Sequence, residues 1–166
     1  MNGIKRCGAV RWLATVALLL ASTAAAMAQG EGPYQFYAVS PCRVADTRNT
    51  PNGLNAGPVI FDYSPRQFKV QGNCGIPVGA KAATLNITVV APTAAGWLAI
   101  SPSNVWFSGF STINFNTGES VIANGAIVPL SSNNADLHII WGDTETPNIS
   151  NNNTAHVVLD VTGYFE

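Results

Sequence analysis

The sequence predicts an all-β chain: a single antiparallel β-sandwich, jelly-roll or immunoglobulin-like, behind a cleaved secretory leader. Three observations carry this. Beyond the leader, no stretch of ten or more residues shows the apolar period of an amphipathic helix. Two stretches alternate with period two instead: Leu85, Ile87 and Val89 against Thr84, Asn86 and Thr88, and Val157, Leu159 and Val161 against His156, Val158 and Asp160. Shorter apolar runs recur between Gly, Pro and Asn clusters, the pattern of many short strands joined by turns.

The leader comes first. Lys5, Arg6 and Arg11 precede an uncharged, mostly apolar run at 12–21, and small residues end in Ala26-Met27-Ala28. These are the three regions of a secretory signal peptide. Ten residues are too few for a bilayer, which needs about 20. Cys7 lies before the run and is not placed to become a lipidated N-terminus. Cleavage after Ala28 leaves Gln29 first, so the chain divides into a leader (1–28), a short N-terminal arm (29–37) and a sandwich domain (38–166).

Further strands are predicted at 35–40, 59–62, 67–70, 97–101, 111–115, 126–130 and 137–141. Turn signals between strands include Asn52-Gly53, Ala91-Pro92, Asn116-Thr117-Gly118 and Asn124-Gly125. The Asn-rich stretch 144–154 reads as an exposed loop before the last strand. No second domain and no internal repeat is visible.

Composition narrows the function. Charged residues are only 10% of the chain, against about 25% in average soluble proteins. After cleavage, five basic and nine acidic residues leave a net charge of −4. Such a chain has no attraction for phosphate backbones or anionic lipid. Its size allows about two-thirds of the unfolded surface to be buried, enough for one core. Cys42 and Cys74 form an even pair without metal or redox spacing, which predicts a disulfide. Closing that loop contributes about 3.5–4 kcal/mol on the chain-entropy account.

The ordered segments Pro41-Cys42-Arg43-Val44-Ala45-Asp46-Thr47-Arg48, Cys74-Gly75-Ile76-Pro77, Ala83-Thr84-Leu85-Asn86-Ile87-Thr88-Val89-Val90-Ala91-Pro92-Thr93, Ser111-Thr112-Ile113-Asn114-Phe115 and Leu159-Asp160-Val161-Thr162-Gly163-Tyr164-Phe165 resemble a known module. It is a β-rich module of secreted and surface proteins of actinobacteria, acidobacteria and related bacteria, often repeated or beside cell-wall hydrolases. The resemblance spans 38–166. It implies a non-catalytic extracellular accessory, adhesion or surface role, with no catalytic residue to carry over. This chain has one copy and no attached enzyme.

Catalytic motifs are missing from the sequence. His138 and His156, with Asp136 and Asp160 nearby, lack a third partner and read as residues of a solvent face. Neither HExxH nor Gly-x-Ser-x-Gly occurs. The 72–81 segment imitates a phosphate loop, but Ala80 separates Gly79 from Lys81 and Ala82 replaces the hydroxyl residue. It reads as a turn into a central strand. A glycosidase would need paired carboxylates, and none of the nine acidic residues suggests a pair. No cofactor or metal is expected. Asp143, Glu145 and the Asn carbonyls of 143–153 lack calcium-loop spacing and read as a solvated turn. Asn86, Asn148 and Asn152 match glycan-acceptor spacing, but no glycan is assigned.

Two clusters remain. Arg43, Asp46, Arg48 and Asp160 read as structural ion pairs, with first and last strands adjacent and Arg43 or Arg48 near Asp160. Breaking a buried pair of that kind costs about 3–5 kcal/mol. The aromatics Trp97, Trp106, Phe107, Phe110 and Trp141 are the candidate ligand-binding residues. Trp106-Phe107 lies in a loop among Ser103, Asn104 and Ser108, a setting in which aromatics stack on sugar rings or partner surfaces.

The sequence therefore predicts a secreted, extracellular or cell-surface module that binds a polysaccharide or a surface protein. The alternative is a self-associating structural subunit of a layer or filament, assembled by strand pairing, with residues 29–38 as a donor arm. Neither reading involves nucleic acid or membrane insertion of the mature chain.

Overall fold

A computed structural model describes residues 32–102, 109–143 and 153–166. The predicted leader, the Trp106-Phe107 pair and the Asn-rich 144–152 lie outside the described residues.

Nine strands follow one another, with no helix among the described residues: β1 (Phe36–Asp46), β2 (Ile60–Phe61), β3 (Arg66–Phe68), β4 (Ala82–Val90), β5 (Gly96–Ser101), β6 (Ile113–Phe115), β7 (Val121–Pro129), β8 (Leu137–Asp143) and β9 (Thr154–Phe165). They form two antiparallel sheets. One has the order β1-β9-β4-β7, with β2 also on β9; the other has β3-β8-β5-β6. The pairs β1·β9, β3·β8, β4·β7 and β5·β6 are nested, each inside the last. That is one long hairpin rolled up so that β9 also meets β4 and β8 also meets β5. Of the two sandwich types expected, this nesting is the jelly roll.

The alternating strands behave as their sequences dictate. Ala83, Leu85, Ile87 and Val89 of β4 point inward, as do Val157, Leu159 and Val161 of β9. From the other sheet come Phe68, Leu98, Ile100, Leu137, Ile139 and Trp141. Each large apolar side chain so buried contributes roughly 1.5–3 kcal/mol. The Cys42–Cys74 disulfide is present, its Cα atoms 5.7 Å apart, and fastens β1 to the turn before β4. That turn leads into β4, as the rejected phosphate-loop segment was expected to.

Two expectations need correction. β1 begins at Phe36, inside the predicted arm. Gln35 and Glu166 exchange backbone hydrogen bonds of 2.9 and 3.1 Å, and Phe36 pairs with Phe165. Residues 35–38 of the proposed donor segment are thus already paired with their own β9. Asn124-Gly125, read as a turn, lies in the middle of β7, which runs in unbroken register with β4 from Val121↔Val90 to Pro129↔Ala82. Asn124 uses its side-chain amide elsewhere, donating to Thr112 O at 2.7 Å.

Buried polar groups tie the loops to the sandwich. Asp136, fully buried, accepts the Val70 and Gln71 N–H groups at 2.7 Å each and pairs with Lys69 Nζ at 3.2 Å. Arg66 turns its guanidinium into the 53–58 loop and donates to the carbonyls of Gly53, Ala56, Gly57 and Pro58. Burial lowers its pKa from the usual arginine value.

Candidate functional site

The site is built on the outer face of the four-stranded sheet, at the edge formed by β5 and β6. Leu98 and Ile100 of β5 point into the core, so Trp97 points out. Its cross-strand neighbours are Asn114 of β6 and Gly142 of β8. Glycine at 142 decides the geometry. A Cβ there would overlap Trp97 Cζ2, Cε2 and Cη2, so the indole lies over the bare backbone of β8. The ring is held down on one side and half-buried.

Phe110 stands beside it, 42% exposed. Thr112 positions that segment. Its N–H donates to Leu98 O at 2.7 Å, and its Oγ1 accepts the Ile100 N–H at 3.1 Å. Its carbonyl takes the Asn124 amide of the opposite sheet. Trp97, Gly109, Phe110, Ser111 and Asn114 line a shallow cleft of about 220 Å³. On the other side of Phe110 a larger groove of about 640 Å³ runs between the sheets, walled by Ile100, Pro102, Ile127, Val128 and Ile140. No charged side chain lines either space among the described residues. The chemistry on offer is stacking, apolar contact and neutral hydrogen bonding.

Of the predicted aromatics, Trp97 and Phe110 are thus brought together. Trp141 is not: it is fully buried in β8, over Gly96, with Phe115 at 5.6 Å in an edge-on contact. Its buried Nε1–H has no acceptor among the described residues, a cost of about 1–3 kcal/mol. It is a core residue and offers no ligand surface. Asn114, Ser111 and Gly142 were not singled out from sequence. Asn114 and Ser111 lie within the quoted 111–115 segment, but only strand pairing reveals that Asn114 flanks Trp97.

The charged cluster assembles at the other sheet. Arg43 and Asp160 face each other in the β1·β9 register, with Nε donating to Oδ1 at 2.9 Å. Their side chains are 50% and 27% exposed, so this pair is not the buried one expected. Arg48 turns instead to Asp46, with Nε at 2.8 Å from Oδ1 and Nη2 at 2.6 Å from Oδ2. Asp46 is the buried member, and these bonds lower its pKa from 3.8 to about 2.

One of the two histidines differs from expectation as well. His138 is buried rather than on a solvent face, because the outward Ala99 and Ile140 around it are also buried. His156 Nδ1 lies 3.2 Å from Thr47 Oγ1, which accepts the Val157 N–H at 2.8 Å. No three His, Cys, Asp or Glu side chains cluster as a metal site would require, among the described residues.

No protein-family model matches the chain, and no curated protein matches it. Among solved structures it is similar to that of the Tobacco streak virus coat protein dimer, at 13% identity over 81% of this chain and 89% of that one, with a TM-score of 0.34. A likeness of that size extends to neither function nor partner.

Proposed function

We propose that this chain is a secreted, non-catalytic module that binds a polysaccharide at the Trp97–Phe110 cleft. The observation that carries the reading is the indole laid over Gly142, with the Asn114 amide and Phe110 at its border. A sugar ring presents an apolar C–H face and a rim of hydroxyls. A fixed aromatic plane takes the face, and a neutral amide and hydroxyl take the rim. The uncharged lining suits a neutral glycan better than an acidic one.

Export is supported by the basic start, the apolar run at 12–21 and the small residues up to Ala28. The disulfide fits an oxidising compartment. No helix among the described residues is long and apolar enough to cross a membrane. Mass spectrometry of the exported protein tests this, with Gln29 expected as the first residue.

Binding is tested by affinity electrophoresis and pull-down on insoluble polysaccharides, comparing wild type with Trp97→Ala and Phe110→Ala. Loss of retention by both variants, with unchanged melting temperature, supports the site. Equal retention of Trp97→Ala and wild type removes it. Retention of neither by any glycan, with capture of a surface protein instead, moves the module to protein binding.

A further inference from the structure

The four sheet edges are not equally protected. The β1 edge is broken by two register shifts and carries Pro41 and Arg43. The β3 and β6 edges are three residues each. The β7 edge is nine residues long, holds unbroken register with β4, and carries no charged side chain. Its Val121 and Ile127 are 58% and 63% exposed. An edge of this kind is a template for another strand.

The hydrogen-bond phase of β7 is fixed by the bonds that bracket it. Ala91 N–H donates to Ser120 O, and Leu130 N–H donates to Lys81 O. Even-numbered residues of β7 therefore exchange bonds with β4. Val121, Ala123, Gly125 and Ile127 direct their N–H and C=O groups to the open side. None of these groups has a partner among the described residues.

We infer that the β7 edge pairs with the β7 edge of a second copy, antiparallel about a two-fold axis midway between the two Asn124 residues. Two-fold symmetry in one sheet requires a residue to face its own copy, so the axis passes midway between that residue and its copy. Centring on Asn124 sets Val121 against the partner's Ile127 and Ala123 against the partner's Gly125. Every outward N–H then meets an outward C=O. Pro129, which has no N–H, falls outside the paired span; centring on Gly125 would instead place it against the partner's Val121. The two most exposed apolar side chains of the strand become direct cross-strand neighbours, a favoured β-branched pair.

Self-pairing is argued by charge as well. The paired span holds no charged side chain, so none would be set against an apolar residue of the partner; Glu119 lies beyond it. The apolar groove beside Phe110 is walled by Ile127 and Val128 and opens at this edge, so the second copy also covers it.

The test is light scattering behind size exclusion on the exported protein, from low micromolar to hundreds of micromolar. A concentration-dependent dimer is expected. Gly125→Pro removes one outward N–H without touching the β4 ladder, and Ile127→Lys adds a charge at an exposed site. Each should raise the dissociation constant at least tenfold. Where Gly125→Pro fails to fold, Ile127→Lys decides. A single cysteine from Asn124→Cys should join two copies under mild oxidation, and one from Gly125→Cys should do so far more slowly. A monomer at every concentration overturns the inference, as does a dimer that neither variant weakens. Open-ended growth overturns the two-fold pairing. Glycan retention by Ile127→Lys keeps this outcome separate from that of the Trp97 cleft.

Discussion

Replacing Asp46 by Asn removes one negative charge and leaves the shape of the side chain. In the wild type, Asp46 Oδ1 accepts the Arg48 N–H at 3.0 Å and Nε at 2.8 Å; Oδ2 accepts Arg48 Nη2 at 2.6 Å and Arg43 Nη1 at 3.4 Å. Arg48 is the main reason that the carboxyl titrates at about 2 instead of 3.8. At about 1.4 kcal/mol per pH unit, that difference is worth at most about 2–3 kcal/mol. Both guanidiniums are about half-exposed, so solvent screening brings the expected value to about 2 kcal/mol. The carboxyl is depressed in the folded state. Its contribution is therefore complete above 3.8, about half gone near pH 3, and nearly absent at pH 2. Urea unfolding of wild type and Asp46→Asn from pH 7 to pH 2 reads it directly. The gap should be about 2 kcal/mol at pH 6, a melting difference of roughly 7 °C, and should close at pH 2. Equal stability at pH 6 refutes the reasoning, and so does a gap that persists undiminished at pH 2.

Three further outcomes are expected. Reducing the Cys42–Cys74 bond, or replacing both cysteines by serine, should lower stability by about 3.5–4 kcal/mol, since the bond spans a sequence separation of 32; calorimetry with and without reductant measures it. Arg43→Ala and Asp160→Ala should each cost less than about 1 kcal/mol, because their pair is largely solvated; a loss of 3 kcal/mol in urea titrations would show that the pair is desolvated in solution. Asp136→Ala should be far more damaging, about 3–5 kcal/mol, because two buried N–H groups lose their acceptor and Lys69 loses its carboxylate; a melting temperature near wild type would contradict that accounting.

What could be read from the sequence depended on how each strand is covered. β4 and β9 bury mainly one face, so Leu85, Ile87 and Val89, and Val157, Leu159 and Val161, announce themselves by alternation. In β8 every residue from Leu137 to Trp141 is buried, and a strand covered on both faces shows no period. That is why Trp141 looked like a strand end with a free ring, and His138 like a solvent residue. In β7 the Asn124-Gly125 pair has the composition of a turn. Its pairing with Asn86 and Ile87 of β4, and the Thr112 carbonyl that takes the Asn124 amide, keep it in the strand, and neither partner is near it in sequence. The cleft was half legible. Trp97 and Phe110 stood out as aromatics, but Gly142, which lets the indole lie flat, is 45 residues away in sequence and carries no local signal. Arg66 escaped notice for a related reason: its partners are backbone carbonyls, which every sequence has.

The nesting of the strands also sets an order of events during synthesis. β9 is an interior strand of its sheet, hydrogen-bonded to β1, β2 and β4, and of the nine strands it is the last in chain order. A nascent chain ending before Thr154 has β1 and β2 but nothing for either to pair with, and β4 has only β7. Contacts this distant in sequence form slowly. The sandwich therefore closes only once β9 has been made, and until then β1 stays without its partner strand.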